Sequence, residues 1–412
     1  MSAVPPIERF ERTDRGIDRI VRTRSGREIR TLFVDLESGS GPISANEAER
    51  LWLTSAKPSK ATSLRGELRV VDLFSGCGGL TLGAQEAAHA LGKRFLPTLA
   101  IDFEKAAAAV YAKNFPKAEV RVDDVANTFD SPVGSKLSRS ERLTAELVGE
   151  TNVLVGGPPC QGHSDLNNRT RRMDPKNELY FSMVRAAEVL KPNHVLIENV
   201  PGAANDKSKV VQRSANMLQE LGYNVDFGVV DASRLGVPQK RKRLLLLASL
   251  TAQPLITKIE ENYLRDRRTL RWAIEDLHNQ TSDNILDESA KSAEDTRERI
   301  NYLFDNDLYD LPDEMRPPCH RTKAHTYRSI YGRLNWDEPT QTITTGFFSM
   351  CMGRYVHPVS RRTLTAREAS RIQYFPQSFD FSGVTKRSDL ARMIGNAVPS
   401  RLALAAILEL LR

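Results

Sequence analysis

Residues 68–80 read LRVVDLFSGCGGL. The apolar run Leu68–Phe74 has the composition of a buried strand. Ser75-Gly76-Cys77-Gly78-Gly79-Leu80 follows as a glycine-rich turn that leads into a helix. Glycines permit positive φ and let a ligand approach the backbone closely. Asp102 ends the next apolar run at about the separation expected of a carboxylate that grips a ribose. Phe103 comes next, with a ring suited to stacking on an adenine. Asp123-Asp124-Val125 ends a third segment that can accept from an adenine amino group, through either aspartate. By itself the glycine turn is weak evidence. Nicotinamide dehydrogenases use a similar turn, but with the pattern G-x-G-x-x-G; here it is G-C-G-G after Asp-Leu-Phe.

The rest of the chain extends this beginning. The strand-like runs Leu68–Phe74, Thr98–Ile101, Val153–Val155, His194–Ile197, Asn224–Val230 and Arg243–Ala248 alternate with helical stretches. Such alternation predicts an α/β fold with a doubly wound, mostly parallel sheet. Residues 249–325 lose the rhythm and read as an inserted region with its own task. Leu402 to Leu411 is a strong helix that returns to the sheet. Residues 1–66 are rich in Arg, Glu, Ser and Gly. Within them Arg27 to Leu36 suggests a strand and Asn46 to Thr54 a helix opened by Ser44, before a linker at Lys57–Lys60. This segment reads equally as an accessory arm or as a solvated tail.

Composition sets outer bounds. The 412 residues suffice for two or three domains. Lys and Arg number 59 against 52 Asp and Glu, a net charge of +7, which permits nucleic-acid binding without requiring it. The four cysteines, Cys77, Cys160, Cys319 and Cys351, are sparse and irregular, which fits a reducing compartment better than a disulfide framework. No apolar run approaches membrane-spanning length, and the N-terminus has no signal-peptide core. Cys319-His320 with His325 fits no standard zinc spacing, so no metal is expected.

Chemistry concentrates in residues 153–164, VLVGGPPCQGHS. A short buried strand is broken by Gly-Gly-Pro-Pro, which places Cys160 on a loop at the strand's carboxyl end, where open α/β sheets bind ligands. Fixed proline φ values stiffen the approach. A thiol presented in this way is a nucleophile candidate rather than a core cysteine. Glu198 ends another strand in a polar turn, Glu198-Asn199-Val200-Pro201. Gln239-Lys240-Arg241-Lys242-Arg243 lies between a proline turn and the strand that follows.

Taken in order, these motifs resemble the DNA cytosine-5 methyltransferases across residues 67–400. Asp72-Leu-Phe-Ser-Gly-Cys-Gly-Gly is similar to that family's S-adenosylmethionine turn, Pro159-Cys160-Gln161 to its nucleophile motif, and Glu198-Asn199-Val200 and Gln239-x-Arg241-x-Arg243 to two further signatures. Tyr331 to Ile343, His357 to Pro376 and Ile394-Gly395-Asn396-Ala397-Val398-Pro399 match the late motifs. The resemblance implies a Rossmann-like, S-adenosylmethionine-dependent methyltransferase domain (67–248, completed by 390–412), a smaller target-recognition domain with supporting motifs (249–389), and an accessory extension (1–66). It implies that Cys160 adds to C6 of a flipped-out cytosine, and that Glu198 holds N3 and the exocyclic amine. Arg241 would contact the base and help hold Glu198. Phe74, Gly76, Cys77, Gly79, Asp102, Phe103, Asp124, Val125, Pro159, Leu179, Asn396 and Val398 would border the cofactor. Ser164, Arg169, Arg171, Arg172, Gln239 and Arg243 would meet DNA. His163 stands where many members have Phe. The base that takes the C5 proton is not legible.

The expected partner is double-stranded DNA, with a cognate restriction endonuclease or other defence proteins, no membrane, and a monomer acting in the bacterial cytoplasm at the nucleoid. Three rivals remain: a transfer-RNA cytosine-5 methyltransferase on the same scaffold, a non-catalytic DNA-binding regulator, and a nicotinamide oxidoreductase. The region 249–325 favours DNA over RNA. A binding module has no use for a thiol nucleophile.

Overall fold

The computed structural model describes residues 7–36, 39–58, 64–159, 179–206, 208–278, 280, 282–321 and 330–412. Its strands are β1 (Glu8–Thr13), β2 (Gly16–Arg22), β3 (Glu28–Val34), β4 (Gly41–Ile43), β5 (Glu67–Leu73), β6 (Arg94–Asp102), β7 (Glu119–Val122), β8 (Val153–Gly156), β9 (His194–Asn199), β10 (Asn224–Asp231), β11 (Gln239–Lys240), β12 (Lys242–Ser249) and β13 (Thr340–Gln341). Among the described residues, seven strands form the central sheet in the order β10-β12-β9-β8-β5-β6-β7. From β9 to β7 the neighbours are parallel, whereas β12 runs antiparallel to both β9 and β10. The sheet is therefore mostly parallel, as expected, with an antiparallel edge at β12 and β10.

Both faces of the sheet are covered, which is why its strands read as continuous apolar runs rather than alternating ones. Val70, Val153, Val155, Leu196, Leu245 and Leu247 face one core, shared with the helices Gly79–Ala90 and Ser400–Leu411. Val71, Leu73, Leu154, Val195, Ile197, Leu244 and Leu246 face the other, under the helices Leu179–Leu190 and Val210–Glu220. Arg387–Leu411 has the length and composition of a membrane-crossing helix. It is instead two helices, Arg387–Asn396 and Ser400–Leu411, joined through Ala397–Pro399 and largely buried in the protein.

Two regions carry more structure than the sequence alone suggested. Residues 7–54 form a four-stranded sheet, β3-β2-β1-β4, closed by a helix at Ala45–Thr54 whose cap is Ser44. Its core of Phe10, Ile17, Phe33, Val34, Trp52 and Leu53 continues into Ala232, Val237 and Tyr374 of the main body. Within 249–389, Ile256, Ile259, Tyr263, Leu270, Ile343, Phe347, Tyr355 and Leu364 belong to the main core. A separate small core holds Ile300, Leu303, Leu311, Ile330, Tyr331, Met350 and Val356.

Candidate active site

The carboxyl ends of β5, β6, β8 and β9 open onto one cavity of about 750 Å³. At its floor the chain leaves β5 through Phe74 and Gly76, both at positive φ (57° and 53°). A side chain on Gly76 would meet nothing within 4 Å, so its missing Cβ leaves open room on the cavity side. Gly79 has no such room. A Cβ there would lie 2.4 Å from the Val398 carbonyl oxygen, so only glycine lets the strap 396–398 lie on the start of the helix Gly79–Ala90.

Asp102 ends β6 beside this turn. Its Oδ2 accepts from the Gly76 amide (2.7 Å) and its Oδ1 from the Glu104 amide (2.8 Å). Burial pushes its carboxyl above the ordinary range, against those two amides. Phe103 follows with 66% of its surface exposed at the cavity wall, an apolar ring left largely open to the cavity. Asp72 lies beneath the turn, wholly buried, and accepts from Thr81 Oγ1 (2.6 Å). Burial raises its carboxyl to about 8, helped by nearby Asp102 and opposed by the Thr81 bond. Cys77 also borders the cavity, but burial pushes its thiol up to about 12, so it stays a neutral packing group.

The opposite wall carries Glu198, Arg241 and Arg243. Glu198 is the penultimate residue of β9, and its Oε1 is 2.7 Å from Arg243 Nε. Arg243 lies next to Leu244, the β12 residue paired with Asn199, so the sheet register itself delivers the guanidinium to Glu198. Arg241 also lines the cavity, within electrostatic reach of Glu198. It is fully buried and donates to the carbonyls of Ile343 (2.8 Å), Ala397 (2.9 Å) and Gly395 (3.4 Å). Burial, then Arg243, holds its guanidinium well below the ordinary value. Arg243 is thus the partner of Glu198, and Arg241 ties the late motifs to the cavity.

Gln239 differs from its expected place at a DNA surface. It is fully buried, donates to the Ile372 carbonyl (3.1 Å) and Gln373 Oε1 (2.7 Å), and accepts from the Ile343 amide (3.0 Å). The parallel pair β11–β13 sets Gln239 beside Thr340, close to the Ile343 amide that it accepts from.

The structure gathers Phe74, Gly76, Cys77, Gly79, Asp102, Phe103, Pro159, Glu198, Arg241, Arg243, Asn396 and Val398 around the cavity. Asp124, Val125 and Leu179 do not line it. Asp124 caps the short helix Val125–Thr128 by accepting from the Ala126 amide (2.9 Å), and Val125 is in the core under the sheet. Leu179 opens the helix Leu179–Leu190. Cys160, His163, Ser164, Arg169, Arg171 and Arg172 lie outside the described residues. Residues to which the sequence assigned no role also contribute. Asn199 Nδ2 donates to the Pro158 carbonyl (3.1 Å), fixing the loop that leads toward Cys160. Glu104 and Arg392 pair at 2.7 Å across the cavity wall. Their partnership joins residues 288 apart in sequence, which no local pattern announces.

This arrangement can hold a ligand with a sugar and a flat ring at the glycine turn, and a second flat polar ring between Glu198 and Pro159. The family model for C-5 cytosine-specific DNA methylases matches residues 68–412. The chain is 41% identical to the Type II methyltransferase M1.BsuMI of Bacillus subtilis, covering 88% of this chain and 84% of that one. It is 30% identical to the Type II methylase M.HgiDII of Herpetosiphon aurantiacus, covering 81% and 92%. Among solved structures it resembles an Escherichia coli prophage protein assigned as a DNA modification methyltransferase, with TM-score 0.56, 26% identity and coverage of 84% and 98%. The Dnmt2 methyltransferase of S. pombe, at TM-score 0.56 and 19% identity, shares the fold, with coverage of 84% and 98%.

Proposed function

Because the chain belongs to the C-5 cytosine-specific DNA methylase family, we propose that it methylates C5 of one flipped-out cytosine in a specific duplex DNA sequence. The methyl donor in this reading is S-adenosylmethionine. The residues present suit it: Gly76 leaves open space at the turn, Asp102 presents a carboxylate for ribose hydroxyls, and the bare Phe103 ring offers a stacking surface. Asn396 and Val398 close the other side. When bound, this cofactor supplies a methyl group on an electrophilic sulfonium.

The chain's own residues prepare the cytosine. C5 is a poor nucleophile while the ring is aromatic. The Cys160 thiolate adds to C6, forming an S–C6 bond and shifting electron density to C5 and N3. Glu198 binds N3 and the exocyclic amine where charge develops, in a general acid role. Arg243, by its 2.7 Å bond to Glu198 Oε1, keeps that carboxyl in one orientation. After C5 has been methylated, loss of its proton to a base restores the ring and expels Cys160. The target carbon is hidden in the duplex stack, so the base has to be extruded into the cavity.

The region 249–389 supplies target recognition in this reading, with the small core around Ile300, Leu303 and Tyr331 as its own folded part. The extension 1–66 is accessory. The biological setting is a bacterial restriction-modification or other defence system, with the enzyme acting as a monomer on cytoplasmic DNA beside a cognate endonuclease.

One observation carries the proposal: Glu198 with Arg243, the Asp102–Phe103 edge and the Pro159 end of the nucleophile loop face a single cavity. Bisulfite sequencing of plasmid DNA from expressing cells tests it. A 5-methylcytosine at one fixed position of a short motif is the expected result, absent in Cys160→Ala. Unmodified DNA together with methylated transfer RNA would transfer the reading to the RNA-directed relative.

A further inference from the structure

We propose that the amino-terminal sheet is a brace for the cofactor pocket, in which Glu8 and Glu49 act through Arg401 as positioning residues for the strap 396–398. The inference rests on the cofactor reading above.

The sheet meets the body through charge as well as apolar packing. Glu8 Oε2 is 2.8 Å from Arg401 Nη2, and Glu8 Oε1 is 3.2 Å from Arg19 Nε. Arg19 Nη2 reaches Glu86 Oε2 at 3.1 Å, on the helix that begins at the glycine turn. Glu49 Oε1 pairs with Arg265 Nε (3.0 Å) and faces Arg401 Nη1 (3.5 Å); Glu49 also binds Arg268. The Tyr374 hydroxyl donates to Glu49 Oε2 (2.6 Å). Glu8, Glu49, Arg19, Arg268 and Arg401 are each exposed by 3% or less. Burial alone would raise the Glu8 carboxyl, but Arg401, Arg265 and Arg19 overcome it and hold it at about 2. Groups so fully desolvated are fixed in place by their partners, because an unpaired charge at that depth is strongly unfavourable.

From Arg401 the path to the pocket is short. Arg401 stands in the first turn of the helix Ser400–Leu411. Ser400 Oγ donates to the Tyr374 carbonyl (2.6 Å), so the residue whose hydroxyl binds Glu49 also holds the helix start. A Cβ on Gly83 would lie 2.6 Å from the Ser400 oxygen and 2.4 Å from Ala403 Cβ, so this turn sits on the glycine-turn helix with no slack. Asn396, Ala397 and Val398, just before it, line the cavity. Arg241 holds the strap directly through the Ala397 carbonyl, while Arg401 ties the helix that follows the strap to the amino-terminal sheet. By contrast, the outward face of the amino-terminal sheet is laced with exposed pairs such as Arg9–Glu28 and Arg30–Glu11, a solvated surface that leaves these arginines engaged.

The experiment compares wild type with Glu49→Gln, and uses Tyr374→Phe as a milder variant that removes one hydroxyl. S-adenosylhomocysteine binding is measured by calorimetry at a temperature where each variant is folded. Amide exchange is followed at residues 395–404, and at 179–190 on the far face as control. Glu49→Gln is expected to bind about tenfold more weakly, equivalent to ~1.4 kcal/mol, with the KM for cofactor raised, the KM for DNA within about twofold, and faster exchange at 395–404 alone. Tyr374→Phe is expected to move the same readouts by a smaller factor. Wild-type affinity and wild-type exchange at 395–404 in a folded variant, whatever its melting temperature, overturn the brace. If Glu49→Gln does not fold, unchanged affinity and exchange in Tyr374→Phe overturn it instead. If wild type itself fails to bind the probe, the cofactor reading falls, while exchange at 395–404 still judges whether the brace holds the strap.

Discussion

Removing the Arg243 guanidinium isolates the part it plays. In Arg243→Ala, Glu198 loses a 2.7 Å charge-assisted hydrogen bond in a setting where the two side chains are exposed by only 13% and 10%. A hydrogen bond to a charged group contributes ~1.5–3 kcal/mol. If that free energy serves to hold the carboxyl toward N3 in the transition state, its loss lowers kcat/KM roughly 10- to 150-fold, at about 1.36 kcal/mol per tenfold. The glycine turn and the strap 396–398 make no hydrogen bond with Arg243 among the described residues, so S-adenosylhomocysteine affinity is expected to stay within about twofold. Steady-state methyl transfer to a duplex carrying the target site gives the first quantity and calorimetry the second. A variant with kcat/KM within threefold of wild type would refute the orienting role. A variant that loses cofactor binding in equal measure would show that Arg243 supports the whole cavity instead.

Gly79→Ala forces a Cβ to 2.4 Å from the Val398 carbonyl, so thermal unfolding should show a loss of ~1–3 kcal/mol, with weaker cofactor binding because the strap is displaced; an unshifted melting curve would contradict the contact. Cys160→Ala should abolish methyl transfer yet retain S-adenosylhomocysteine binding. Cys77, with its thiol at about 12, should resist alkylation at pH 8 in the folded protein, and mass spectrometry of the modified protein reads this directly. His357 accepts from the amides of Val359 (3.3 Å) and Ser360 (3.0 Å) on Nδ1, so that nitrogen holds no proton. Burial chiefly, with Arg362 and His278, lowers this histidine from 6.5 to about 4 against the pull of Glu368. A group depressed in this way contributes stability above its unfolded value that is lost as pH falls through 6.5 toward 4. The loss approaches about 3 kcal/mol, and denaturant midpoints measured across that window should fall more steeply in wild type than in His357→Gln.

The sequence by itself determined the parts whose signal is local. The apolar runs of β5, β6, β8, β9 and β12 announced a sheet covered on both faces, because a strand buried twice has no polar side to show. The glycine turn, the Asp102–Phe103 edge, Glu198-Asn199-Val200 and the strap around Asn396 were legible because each is a short motif at a strand or helix end. Ser44 announced its helix through its capping oxygen. Only the tertiary structure decided which arginine faces Glu198. Arg241 and Arg243 are two residues apart and chemically alike, and the choice depends on β12 pairing with β9 in one register and on residues 343, 395 and 397 arriving from far along the chain to take Arg241. The placement of Gln239 away from a DNA surface has the same origin, in Gln373 far along the chain, whereas Asp124 is drawn off by a local bond, capping its own short helix through the Ala126 amide. Of the amino-terminal sheet, β3 was suggested by Arg27 to Leu36, but β1 and β2 were hidden for a further reason. Glu8, Asp18 and Arg19 make β1 and β2 look solvated, and their burial is tolerable only because Arg265, Arg401, Arg30 and Glu86 come from elsewhere to neutralise them. Local pattern reports what a residue prefers when alone; the charges and carbonyls that override the preference are supplied by distant segments once the chain has closed.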